Sequence, residues 1–167
     1  YWRSQALEAL ANRRLPGLKA IFHTKLRDPS HLSRIQAGRG LCLLGEREAM
    51  LPLLQDEDPR VRLRVAVCLL EEDDKRGLPS LVEALRQDSM FLDYPWGQIG
   101  SLVAFKKLRS AAGKDFGFIP GEPVSKNQAA IKSFEEWARA QLGDGWVDAV
   151  EIPRDSQTYL GGVEVRS

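Results

Sequence analysis

Apolar residues recur at three- and four-residue intervals along most of the chain, and short polar turns carrying Gly, Pro or Asp interrupt them. The clearest stretch is 58–87. Val61, Val65, Cys68 and Leu69 form one helical stripe, and Leu63, Ala66, Val67 and Leu70 form the neighbouring one. Two adjacent stripes predict a helix buried on two sides. Asp58 is placed to cap it, with Pro59 at the first helical position, where its missing N–H costs nothing. The run Glu71 to Asp74 breaks the pattern. Gly77-Leu78-Pro79 restarts it, and Leu78, Leu81, Val82 and Leu85 give the second helix a single apolar face, so that this helix is expected to be half exposed.

The same reading extends in both directions. Residues 2–12 predict a helix with Trp2, Ala6, Leu7, Leu10 and Ala11 on one side. Leu15-Pro16 opens a second, with Leu18, Ile21, Phe22 and Leu26 inward. Asp28-Pro29 starts a third, with Leu32, Ile35, Leu41, Cys42 and Leu44 as core positions and Gly45 as its end. Gly38 and Gly40 inside it each cost about 1 kcal/mol relative to Ala, which points to close helix packing. A short fourth helix covers 49–55. After 87, a helix is expected from Pro95 to Ala112, with Trp96, Ile99, Leu102, Val103, Phe105 and Leu108 inward and Gly113 closing it. A loop over 114–124 follows, with Phe116 or Phe118 plugging the core. A last helix over 125–142 then opens with a Ser125/Gln128 capping box and packs Ala130, Ile131, Phe134, Trp137, Ala138 and Leu142. Residues 144–167 are richer in β-formers and read as an extended arm or hairpin.

Repetition ties these elements together. Arg34-Ile35-Gln36 aligns with Arg60-Val61-Arg62 at an offset of 26, and the same offset maps Gly40–Leu44 onto Ala66–Leu70. Leu-Pro recurs at 15–16, 51–52 and 78–79, and Asp-Pro at 28–29 and 58–59. A period in this range signals a solenoid. The expected fold is all-α, an α-solenoid of antiparallel hairpins over residues 1–143, with 125–142 as its capping helix.

The pattern Asp-Pro-x-Val-Arg-x-x-x-Ala-x-x-Leu, followed after a turn by Leu-Pro-x-Leu-x-x-x-Leu, resembles HEAT repeats, nearest to the short bacterial type of phycobilisome-lyase-like proteins. Asp58, Pro59, Val61, Arg62, Ala66, Leu69, Leu78, Pro79, Leu81 and Leu85 carry it. The resemblance implies a non-catalytic scaffold or adaptor whose partner is another protein. In HEAT stacks the second helix of each hairpin lines the concave surface, which nominates Lys19, His23, Gln55, Ser80, Glu83 and Arg86 as partner-binding residues. It also leaves two alternatives open. One is a DNA-repair glycosylase or nucleic-acid module, with Lys19, Lys25, Arg86, Lys106, Lys107 and Arg109 as a basic stripe and Trp96, Trp137 and Trp146 as aromatics. The other is a bilin lyase subunit, for which no individual residue speaks.

Composition and chemistry narrow the picture. With 24 Lys+Arg against 23 Asp+Glu the net charge is +1, which argues against a dedicated nucleic-acid domain. No apolar run approaches the roughly 20 residues that span a bilayer. YWRSQALEAL lacks the pattern of a secretory leader and an initiator Met, so the chain reads as a fragment or processed product, with the cytoplasm the favoured compartment. Cys42 and Cys68 are read as core hydrophobes at equivalent repeat positions, too far apart to bridge because packed helices lie about 8–10 Å apart. His23 and His31 lack the further ligands a metal needs. Asp115-Phe116-Gly117 spells a kinase tripeptide without the rest of that signature, and no P-loop, GxSxG or HExxH occurs. No catalytic residue, cofactor or metal is therefore expected.

Overall fold

The structure is a computed structural model that describes residues 17–87, 92–93 and 98–149. The expected helix over 2–12, Pro95, Trp96 and the arm beyond 149 lie outside the described residues. Within them the order is α1 (Leu18–Lys25), α2 (His31–Leu43), α3 (Arg47–Met50) running into a 3-10 turn (Leu51–Gln55), and α4 (Pro59–Glu71). A 3-10 turn (Lys75–Gly77) leads into α5 (Leu78–Ala84). A two-residue antiparallel ladder, β1 (Leu92–Asp93) with β2 (Gln98–Ile99), precedes α6 (Gly100–Ala112) and α7 (Val124–Leu142). A last 3-10 turn covers Gly143–Gly145. The fold is an all-α stack of helical hairpins, apart from this small ladder.

Helix α4 is the centre of the stack, and its two stripes explain why. Val61, Val65, Cys68 and Leu69 join the core formed with α1 and α2, around Phe22, Leu41 and Met50. Leu63, Ala66 and Val67 join a second core with α5, α6 and α7, around Leu81, Leu108 and Phe134. Burial on two sides is thus what the double stripe encodes. Asp58 caps the helix as expected: its side chain accepts from the Arg60 backbone N–H at 2.9 Å. The Arg60 side chain also binds Asp58, and these bonds outweigh burial and hold the carboxyl below its ordinary range.

The repeat has a length of 28 residues, which corrects the offset of 26. The Arg34 guanidinium donates through Nη1 to the carbonyls of Asp28 and Pro29, at 3.0 and 3.1 Å. Arg62 does the same to Asp56 and Glu57. Ser30 and Asp58 are the two N-cap residues, and both helices run for 13 residues. Their ends also correspond. The Gly45 and Glu46 N–H groups close on Cys42 and Leu41, and those of Asp73 and Asp74 close on Leu70 and Leu69. Gly45 adopts φ +75 at no cost, whereas Asp73 is held at φ +60, where an L side chain is disfavoured. Asp73→Gly is therefore expected to raise stability by about 0.5–1 kcal/mol in urea unfolding. An unchanged or lowered midpoint would show that the aspartate side chain offsets its backbone strain.

Glycines set how closely the layers approach. A Cβ on Gly40 would sit 2.4 Å from the Phe22 ring, and one on Gly38 would sit 3.2 Å from Leu53 and Val65. This is the close packing expected of that helix. Several local expectations are corrected. Ile21 is 48% exposed, because α1 buries only Leu18 and Phe22 fully. Helix α2 begins after Ser30, since the Asp28 side chain turns back to accept from the Ser30 N–H. Helix α6 begins at Gly100, because Gln98 and Ile99 pair in the ladder. The Ser125/Gln128 capping box does not form: α7 starts at Val124 behind Pro123. Asn127 does the tying instead. Buried in α7, it accepts from the Ile119 N–H at 2.8 Å and donates to the carbonyls of Ile119 and Glu122, pinning the loop. Both Phe116 and Phe118 plug the core of that loop. Phe118 stacks on Phe105, and Phe116 packs edge-on against Phe134.

Candidate partner-binding face

The expected binding residues divide into two environments. Lys19, His23 and Gln55 are exposed on α1 and on the 3-10 turn after α3, and Lys19 pairs with Glu46 at 2.6 Å. Arg86, just past α5, is also exposed, with its side chain 40% accessible. Ser80 and Glu83 are buried, at 7% and 8%. This corrects the half-exposed reading of the second helix. Every residue from Leu78 to Leu85 is buried, because α6 and α7 pack over the side of α5 that its polar letters seemed to reserve for solvent.

What the structure brings together is a chain of ion pairs across α5, α7 and the segment after α7. Arg86 donates to Glu83 at 3.0 Å and, through its other terminal nitrogen, to Glu135. Glu135 accepts from Arg139 at 3.0 Å, and Arg139 also reaches Asp148 at 3.1 Å. The Arg139 guanidinium lies 4.3 Å from the centre of the Trp146 ring, whose N–H donates to Asp148 at 2.6 Å. The chain borders an open pocket of about 210 Å³ lined by Pro79, Glu83, Arg86, Glu135, Trp146, Asp148 and Ala149.

Arg86 and Asp148, toward the two ends of this chain, are held in their ionised forms. Burial works against the Arg86 charge, but its bonds to Glu83 and its proximity to Glu135 raise it above the ordinary guanidinium value. The bond from Trp146, reinforced by Arg139, lowers Asp148. Glu83 works from beneath, as the buried carboxylate that orients Arg86. Trp146 fixes the end of the chain, half-buried against the second core.

Glu83 and Arg86 are among the residues expected from the sequence, whereas Glu135, Arg139 and Asp148 are not. The Glu135–Arg139 spacing of i, i+4 was the available signal on α7. The proposed basic stripe is largely neutralised. Lys19, Lys25, Arg86 and Lys107 each pair with a carboxylate, and Arg109 lies against the Phe105 ring. Trp137 packs against the core, and Trp96 lies outside the described residues. Cys42 and Cys68 are buried and unoxidised, as core residues. They do not occupy equivalent positions, and the Cys42 sulfur lies 3.7 Å from the Cys68 carbonyl, so the expectation that they stand a full helix spacing apart is corrected. Among the described residues no group of three or more His, Cys, Asp or Glu side chains is placed to hold a metal, and no helix is long and apolar enough to cross a membrane.

Stacked antiparallel hairpins with a shared arginine-to-carbonyl ladder define an α-solenoid. Residues 15–91 match the family model for HEAT repeats. Residues 15–91 are thus built of HEAT repeats; the match is to HEAT repeats in general and does not reach the phycobilisome-lyase-like type. No curated protein and no solved structure matches it. HEAT repeats generally mediate protein–protein interaction and are typically non-catalytic.

Proposed function

We propose that this chain is a non-catalytic adaptor that binds another protein over its second-helix face. The observation that carries the reading is the pocket between α5 and α7. It is walled by Trp146 and edged by the charged side chains of Arg86, Glu135 and Asp148, in a module whose repeats serve protein contacts. An aromatic beside an exposed Arg is the composition that dominates binding energy at protein interfaces. Arg86, Arg139 and Trp146 form the proposed anchor, with Lys19, His23 and Gln55 extending the contact toward the first hairpin. Ser80 and Glu83 support it from within.

Affinity capture with the wild type and with Arg86→Ala and Trp146→Ala tests the reading. Each substitution is expected to reduce recovery of the same stoichiometric protein at least tenfold, a loss of about 1.4 kcal/mol or more. Lys126→Ala, at the far end of α7, is expected to leave recovery unchanged. Equal recovery by all four proteins would overturn the reading. Charge reversal at Glu83 is unsuited to this test, because it would place an uncompensated lysine beside Arg86 in the core.

A further inference from the structure

We propose that Cys42 and Cys68 form a reversible disulfide that staples α2 to α4 when the protein meets a peroxide. The pair has the required placement. Gly38 lets the two helices approach, since a Cβ there would lie 3.2 Å from the Val65 side chain. Cys42 follows Gly38 by one turn on α2, and Cys68 follows Val65 by nearly one turn on α4, so the close approach carries on to the sulfurs. The Cys42 sulfur lies 3.7 Å from the Cys68 carbonyl, and both side chains belong to the same core. The proximity of the two cysteines, with the Cys42 thiol donating to the Cys68 carbonyl, goes with a Cys42 lowered below the ordinary thiol value and a Cys68 raised above it. Cys42 is thereby the nucleophile and Cys68 the resolving thiol.

The chemistry balances with hydrogen peroxide as the oxidant. The Cys42 thiolate attacks one peroxide oxygen and the O–O bond breaks. Hydroxide leaves and takes up the thiol proton as water, and Cys42 becomes a sulfenic acid. The Cys68 sulfur then attacks the Cys42 sulfur, the S–O bond breaks, and the departing hydroxide takes the Cys68 proton as a second water. Two thiols have been oxidised to one disulfide and one peroxide reduced to two waters.

The consequence lies in the stack. Successive hairpins of a solenoid touch only their neighbours, so its shape is set at each interface. A covalent bond between α2 and α4 fixes the interface between the two 28-residue repeats, and encloses the α3 arm in a closed loop. Oxidation therefore stiffens the first half of the module without adding a contact on its surface.

The test uses the full chain. It is treated with excess hydrogen peroxide, unfolded, alkylated and mapped by mass spectrometry, alongside Cys42→Ala and Cys68→Ala. The expected result is an intramolecular Cys42–Cys68 link in the wild type alone. A Tm increase of roughly 10 °C is expected with it, reversed by dithiothreitol. Two alkylatable thiols after oxidation, a sulfinic acid at Cys42 without the link, or a link only between molecules would overturn the proposal. A correct link with an unchanged Tm would overturn the stiffening.

Discussion

Arg34→Ala is expected to lower the unfolding free energy by about 3–5 kcal/mol. This one guanidinium closes the carbonyls of Asp28 and Pro29 at the entrance to its own repeat. It also grips Asp56 of the next repeat in a two-pronged contact, with Nε to Oδ2 at 2.7 Å and Nη2 to Oδ1 at 2.8 Å. Both side chains are more than nine-tenths buried. Removing the arginine leaves the Asp56 carboxylate uncompensated, with the Asp58 N–H at 2.9 Å still donating to it, and takes the Arg34 donor from two carbonyls in a place water reaches poorly; that loss exceeds the worth of the pair itself. Arg47 and Glu72 offer the contrast. They pair at 3.1 Å with 43% of each side chain exposed, so Arg47→Ala is expected to cost under about 1 kcal/mol. Urea unfolding of the three proteins checks the difference. A loss below about 1 kcal/mol for Arg34→Ala would show that the inter-repeat ladder contributes little.

Gly77→Ala is expected to cost about 2–3 kcal/mol, although alanine is the better helix former by about 1 kcal/mol. A Cβ at Gly77 would meet the Ala66 carbonyl oxygen at 2.6 Å and its Cα at 2.8 Å. Both are backbone atoms in the middle of α4, so no side chain can turn aside to relieve the clash. The turn before α5 must shift outward, and Leu78, Leu81 and Leu85 shift with it. At Gly38 the obstructing atoms are the ends of Leu53 and Val65 at 3.2 Å, which can yield by a few tenths of an ångström. Gly38→Ala is accordingly expected to cost far less. Similar losses at both positions in thermal or urea unfolding would contradict this distinction between backbone and side-chain obstruction.

The class of fold was legible because α4 announces itself. Two adjacent apolar stripes admit no arrangement except burial on two sides, and the structure places each stripe in its own core. The repeat length was not legible from the same letters. Leu, Val and Cys are interchangeable as core residues, so aligning them at 26 matches composition without matching place. The bonds from Arg34 and Arg62 to their entry carbonyls establish the true correspondence, and those bonds exist only once the turns are folded. Misplacing the register also misplaced the cysteines, which are contacts across the interface and not equivalents along it. The exposure of α5 failed for another reason. Ser80 and Glu83 look like solvent positions on a helix taken alone, whereas α6 and α7, about 20 to 60 residues further on, cover them. The candidate face depends on the same long-range packing. Glu135 meets Arg86 through folding, Arg139 and Asp148 join through Glu135, and only the i, i+4 step on α7 was visible beforehand.

The face proposed to dock a protein bears Arg86, Arg139 and Trp146. The most direct measurement is the dissociation constant of the captured partner for the wild type and for Trp146→Ala, with thermal unfolding of both recorded in the same buffer. The variant is expected to bind at least tenfold more weakly, with a Tm close to that of the wild type. An unchanged affinity, or a loss of affinity matched by a collapse in Tm, would contradict it.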